Sequence, residues 1–172
     1  MGYKIFQIDT SNRPTSDSYS RRSGQYFIRK FHEKFGQFEV SYLDLNRDYP
    51  SAYFLDSMCT SQIFLWCLSA DISKIPDSFV EWINYIHSNN FSLSHSCQIS
   101  NYHKKSIIIA NWQQETDELS PKYNVEPILR HSLNQLGVDD VVFFHLFHKD
   151  NTPSGELILQ KNINNYIASL HL

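Results

Sequence analysis

The sequence predicts an α/β protein, a five-stranded parallel sheet with helices on both faces. Three observations carry that expectation. Short apolar runs alternate with amphipathic segments from end to end of the chain. The runs Ile63–Leu68 and Ile107–Ala110 are unbroken, as in strands covered on both faces. Parallel neighbours also need crossover connections, and the intervening amphipathic segments supply them.

Tyr3-Lys4-Ile5-Phe6-Gln7-Ile8-Asp9 reads as the first strand. Phe27, Phe31 and Phe35 then fall four apart, one face of a helix over Tyr19–Phe35 that Gly36 stops. Phe38 to Leu45 alternates as a second strand, and 46–60 reads as loop or a short, poorly patterned helix. Ile63–Leu68 is the third strand. Pro76 opens the next helix, with a buried stripe of Phe79, Trp82, Ile83 and Ile86. Ser106–Ala110 is the fourth strand and the clearest of the set. Val125, Ile128, Leu129, Leu133 and Leu136 mark a helix ended by Gly137, with His131 on its solvated side. Val141–Phe147 is the fifth strand, and Ile158, Ile163, Tyr166, Ile167 and Leu170 carry the last helix. Right-handed crossovers leave few topologies for this pattern, and the flavodoxin-like order leads them. The expectation is a single flavodoxin-like domain over 1–172, with Ile107–Ile109 near the sheet centre.

Length and composition agree. The chain has 172 residues, 41% hydrophobic and 19% charged, enough to bury one sizeable core. A formal net charge of -3 argues against a nucleic-acid partner bound by phosphate neutralisation. The three cysteines form no C-x-x-C, so zinc-ribbon and thioredoxin motifs are absent. The apolar runs are too short to span a bilayer and no signal segment precedes Lys4, so the expectation is a cytoplasmic protein with no membrane partner.

Ligands of such sheets bind outside the carboxyl ends of the strands, which places Thr10–Ser20, Ser69–Ile75 and Asn111–Tyr123 around one crevice. The first of these segments is the most informative. Strand, polar loop and helix N-terminus is a phosphate-binding geometry, because the first helical N–H groups lack intrahelical partners. Thr10, Ser11, Ser16, Ser18 and Ser20 add hydroxyls, and Arg13, Arg21 and Arg22 add positive charge. Capping the helix accounts for Ser18 but not for five hydroxyls. Asp71 and His145 are the candidate catalytic groups, one in a crevice loop and one at the end of the fifth strand. No ligand spacing supports a metal site.

The chain resembles the FMN-dependent NAD(P)H oxidoreductases of the azoreductase and quinone reductase group over nearly its whole length. Ser11 and then Ser18-Tyr19-Ser20-Arg21 look like that family's phosphate loop, and Asp44-Leu45 is similar to its Asp-Leu after the second strand. Ile75-Pro76 with Phe79, Trp82-Ile83 and Ile86 matches its Ile-Pro helix. Asn90–Leu93 resembles its Gly-Phe-Thr-Phe turn, and 127–140 its penultimate helix. The departures fall where the flavin ring would lie. Ser69-Ala70-Asp71-Ile72-Ser73 replaces Pro-Met-Tyr-Asn-Phe, and Asn111-Trp112-Gln113-Gln114 replaces Ser-Arg-Gly-Gly, bulky where glycines let backbone approach the ring. The resemblance implies FMN, with Ser11, Ser18, Tyr19 and Ser20 on its phosphate. Ala70, Asp71, Ile72, Asn111, Trp112 and Gln113 would flank the ring. It further implies NAD(P)H as co-substrate, a small-molecule acceptor and a homodimer with sites at the subunit interface. Two other readings stand beside it. One is a flavin-free relative that binds another small ligand, or does acid–base chemistry, in the same crevice. The other is a non-catalytic interaction protein.

Overall fold

The five parallel strands of the computed structural model lie in the order β2-β1-β3-β4-β5. The structure describes residues 3–11, 13–48, 51–70, 75–89, 104–112, 125–147 and 152–171. The elements run β1 Tyr3–Asp9, α1 Tyr19–Phe35, β2 Phe38–Asp44, α2 Ala52–Thr60 and β3 Ile63–Ala70. They continue as α3 Asp77–Ser88, β4 Lys105–Trp112, α4 Glu126–Gln135, β5 Asp140–Phe147 and α5 Pro153–Ser169. This is the flavodoxin-like order, with β3 central and β4 beside it. Ile107, Ile108 and Ile109 are buried to within 1%, as two-faced cover requires.

Period-2 alternation divides the strand side chains between two cores. On one face Ile5, Leu65, Cys67, Ile107 and Ile109 meet Phe27 and Phe31 of α1 and Leu159, Ile163 and Ile167 of α5. On the other, Phe6, Ile8, Phe64, Trp66 and Ile108 meet Met58, the α3 stripe, and Leu129 and Leu133 of α4. The α3 stripe of Phe79, Trp82, Ile83 and Ile86 is buried as its spacing predicts. Pro76 is the N-cap of that helix, one position earlier than expected.

Two positions read from the sequence as core face solvent. Ile128 on α4 is 52% exposed and Ile158 on α5 is 63% exposed. In α5 the buried line is Leu159, Ile163 and Ile167, a strict four-residue spacing that leaves the adjacent Ile158 off the stripe. In α4, Leu129 and Leu133 already fill the space over the sheet. The segment 46–60 resolves into α2, whose hydrophobic face is short and buries only Ser57 and Met58.

Two helix C-termini are closed by lysines from elsewhere in the chain. Lys34 Nζ donates to the carbonyls of Ile167, Ala168 and Leu170 at 2.7–2.8 Å, capping α5. Lys104 Nζ donates to those of Met58, Cys59 and Ser61 at 2.7–3.1 Å, capping α2. Both place a cation where the orphaned carbonyls and the helix dipole favour one. Burial pulls the Lys104 pKa down to about 8. The unfolded chain therefore binds more protons than the folded one between pH 8 and about 10.4, and this group makes stability rise with pH across that window. Lys104→Met should flatten the difference in urea midpoint between pH 8 and 10 relative to the parent. An unchanged slope would show that Lys104 keeps its ordinary pKa.

Candidate functional site

The carboxyl ends of β1, β2, β3 and β4 converge on the N-terminus of α1. Thr10 leaves β1 with its N–H on the Cys67 carbonyl, 3.2 Å, and its Oγ1 accepts from the Ser69 N–H at 3.2 Å. Ser11 Oγ accepts from the Arg13 N–H, 3.2 Å. Ser18 is the N-cap, extended in backbone, its Oγ accepting from the Arg21 N–H at 3.4 Å and lying 3.2 Å from Ser20 Oγ. Thr10, Ser11, Ser18 and Ser20 are all buried.

The direction of these bonds matters. A hydroxyl has one hydrogen and two lone pairs. Thr10, Ser11 and Ser18 each accept from a backbone N–H, which leaves their own hydrogens to be donated. Between Ser18 and Ser20 one hydrogen is shared and one remains. A cluster of donors at a helix N-terminus suits an anion.

Positive charge is arranged differently from the sequence expectation. Arg21 is drawn into a largely buried network that includes the loop's own Ser11 carbonyl. Its Nη2 donates to Asp44 Oδ2 at 2.7 Å and to the Ser11 carbonyl at 2.5 Å, and its Nη1 donates to the Tyr42 hydroxyl at 3.2 Å. Asp9 Oδ2 lies 3.6 Å from Arg21 Nε and accepts from the Tyr42 hydroxyl at 2.8 Å. Asp9 and Asp44 are register partners at the ends of β1 and β2, so two carboxylates meet one guanidinium. Burial works against the Arg21 charge, but the bond to Asp44 and the surrounding fields outweigh it and raise the pKa. Burial and then the bond to Asp9 push the Tyr42 hydroxyl above its ordinary range. Burial, reinforced by Asp9, does the same to the Cys67 thiol and keeps it unreactive. Arg22 reaches the Ser16 carbonyl at 2.6 Å and Glu156 at 3.6 Å, lies 4.2 Å over the Tyr19 ring, and so ties the loop to α5.

At the carboxyl ends of the two central strands, Ala70 and Trp112 are register partners closing β3 and β4. Asn111 is 6% exposed and its Oδ1 has no hydrogen-bond partner among the described residues, a buried acceptor awaiting a donor. The Trp112 ring lies on the opposite face of β4, fully buried, with Nε1 donating to His145 Nδ1 at 3.0 Å. His145 Nε2 lies 2.7 Å from Glu126 Oε1. Both nitrogens of the candidate catalytic histidine thus have protein partners. Asp71, Ile72 and Gln113, also expected at this end, lie outside the described residues. The Asp9–Arg21–Asp44–Tyr42 network was missed by sequence reasoning; its signal was an acidic residue closing each of two adjacent strands.

Compared by sequence, the chain matches no protein-family model and no curated protein. Compared by structure, it is similar to an FMN-dependent NADH-azoreductase from Bacillus anthracis in complex with FMN. That match has a TM-score of 0.71 and 12% identity, covering 96% of this chain and 98% of the other. It is similar to an NAD(P)H:quinone oxidoreductase from Methanothermobacter marburgensis, TM-score 0.71 at 13% identity, over 100% and 98% of the two chains. An NADH:FMN oxidoreductase in its apo form superposes with TM-score 0.67 at 13% identity, over 98% and 90%. The fold is the one these reductases share. Identities of 12–13% carry the architecture and nothing finer.

Proposed function

We propose that the protein is an FMN-dependent NAD(P)H oxidoreductase of the azoreductase or quinone reductase type. One observation carries the reading: a set of buried hydroxyls, Ser11, Ser18 and Ser20, with hydrogens left to donate at the first turn of α1. It sits on a fold whose solved neighbours include an FMN-bound reductase. Ser11, Ser18, Tyr19 and Ser20 would hold the phosphate. Ala70, Asp71, Ile72, Asn111 and Gln113 would border the ring, with the unpartnered Asn111 Oδ1 accepting from a ring N–H, whereas the Trp112 side chain, buried on the opposite face of β4, would not reach it. Bound FMN would supply hydride chemistry between NAD(P)H and a small-molecule acceptor, while these residues orient it and exclude water. A homodimer with sites at the subunit interface belongs to the same proposal.

A second reading, the flavin-free relative, draws support from the charge arrangement. Arg21 and Arg22 are committed to carboxylates and carbonyls, so of the three loop arginines the exposed Arg13 alone is left to meet a dianionic phosphate beside the hydroxyls and N–H groups. Titration with FMN, followed by quenching of flavin fluorescence, separates the two. Binding tighter than tens of micromolar, about -6 kcal/mol, with bleaching by NADH or NADPH, is the expected result. Ser20→Ala should weaken it by about 1–3 kcal/mol, the cost of one bond to a charged acceptor. No quenching at that concentration would exclude the flavin enzyme and leave the second reading.

A further inference from the structure

Trp112, His145, Glu126 and Arg130 form a chain of polar contacts on the face of the sheet away from α1. The indole N–H can only donate, so His145 Nδ1 must carry no hydrogen. A neutral His145 therefore holds its proton on Nε2 and gives it to Glu126 Oε1. The geometry fixes the tautomer. Phe143 and Phe147 flank the imidazole at 5.8 and 6.0 Å between ring centres, with planes 10° and 29° from parallel, and restrict its rotation. Arg130 Nη2 lies 3.6 Å from the other Glu126 oxygen, and Arg130 Nη1 donates to the Val141 carbonyl at 2.8 Å. Among the described residues, Glu126 and Arg130 from α4 are the charged groups in this cluster. β4 contributes the neutral Trp112, and β5 the two phenylalanines.

We infer that this cluster is a proton-operated latch: His145, set between Trp112 and Glu126, is a positioning residue that locks the end of β4 when neutral and releases it when protonated. Protonation puts a hydrogen on Nδ1, so two N–H groups then face each other across 3.0 Å and the indole must let go. The two partners pull in opposite senses. Trp112 favours neutral imidazole because it needs a bare Nδ1, and Glu126 favours imidazolium because its carboxylate gains a counter-charge. Arg130 weakens the second pull by sharing that carboxylate.

The latch bears on ligand binding through a short path. Trp112 is fully buried and is the last residue of β4, paired across the sheet with Ala70 at the end of β3. Asn111, with its unpartnered Oδ1, is the preceding residue on the opposite face. Two N–H groups facing each other across 3.0 Å must move apart, and because the Trp112 ring is packed in the core its displacement shifts the strand end and, with it, Asn111. This step rests on the proposed FMN reading of the crevice; the latch itself does not.

The test uses the full chain and reads the two separately. Trp66 and Trp82 Nε1 have no partner, so in an ¹⁵N-resolved spectrum the Trp112 indole is the one shifted downfield by a hydrogen bond. Between pH 8 and 5 that resonance should move upfield in step with the His145 ring protons, while the other two indoles stay still. Trp112→Phe should raise the His145 midpoint and Glu126→Gln should lower it, opposite shifts that a merely structural cluster would not give. Should Trp112→Phe fail to fold, the Trp112 resonance of the parent, followed across the His145 titration, still decides. A static Trp112 resonance across the His145 titration, or both variants moving the midpoint the same way, overturns the latch. FMN affinity should fall about tenfold more across the same transition in the parent than in His145→Gln, as coupling between two sites typically amounts to; the variant supplies the baseline set by protonation of the FMN phosphate itself. An equal change in parent and variant overturns the coupling. Absence of FMN binding with a titrating indole overturns the flavin reading and leaves the latch standing.

Discussion

Arg21→Met should cost the protein about 3–5 kcal/mol, a large part of the stability of a domain this size. The guanidinium is the one buried cation between Asp9 and Asp44 among the described residues, and all three groups are at most 6% exposed. Removing it leaves two buried carboxylates at the ends of adjacent strands, with the exposed Arg47, 3.6 Å from Asp44, as the remaining counter-charge among the described residues. The same substitution frees the Ser11 carbonyl, which Arg21 Nη2 holds at 2.5 Å, so the hydroxyl loop should loosen as well. A drop in urea midpoint and a loss of FMN affinity are both expected. Asp44→Asn in the Arg21→Met background should recover part of the stability, because it removes the charge the arginine was offsetting. If Arg21→Met alone is neutral, or if the second substitution makes matters worse, the triad is not held by charge. The methionine keeps the length of the buried stem, so the comparison isolates charge and hydrogen bonding from packing.

The sheet was legible in the sequence because its signals are local and redundant. Ile63–Leu68 and Ile107–Ala110 cannot be placed anywhere but in doubly covered strands, and the α1 phenylalanines repeat at four-residue spacing up to a glycine with positive φ at 36. Where three apolar residues adjoin, as at Leu157–Leu159, periodicity alone does not choose the one that faces the sheet. Tertiary fit chose Leu159. The site was legible in position and less so in chemistry. Ser18 and Ser20 meet at 3.2 Å in the first turn of α1, and the Ser11 carbonyl is held by Arg21 of the same helix. Arg21 is three residues past the N-cap, where one-dimensional reading counts it as charge for an anion. Its actual partners, Asp9 and Asp44, lie 12 and 23 residues away in sequence, and only strand register brings them together. Trp112 and His145 carry the same lesson, being coupled by β4–β5 pairing across 33 residues.

Gly24→Ala carries the second large effect, and its cause is the closeness of α1 to the sheet. A Cβ built at Gly24 would overlap Cys67 Sγ and lie 3.4 Å from Gln7 Nε2. Cys67 is completely buried on the central strand, so its sulfur has nowhere to retreat. Helix dihedrals suit alanine, and propensity alone would favour the substitution by about 1 kcal/mol. Overpacking of this kind costs about 1–3 kcal/mol, so the net result should be destabilising. Relief by displacement of α1 would carry Ser18 and Ser20 away from Ser11 and Thr10, whose positions β1 and β3 fix. FMN affinity should therefore fall even under conditions where the variant is fully folded. Cys67→Ala removes the sulfur and opens the space the new methyl needs. The pair Gly24→Ala/Cys67→Ala should recover both stability and affinity relative to Gly24→Ala alone. Equal destabilisation with and without the sulfur would mean that Gly24 serves something other than close approach, and would detach the depth of α1 from the geometry of the hydroxyl loop.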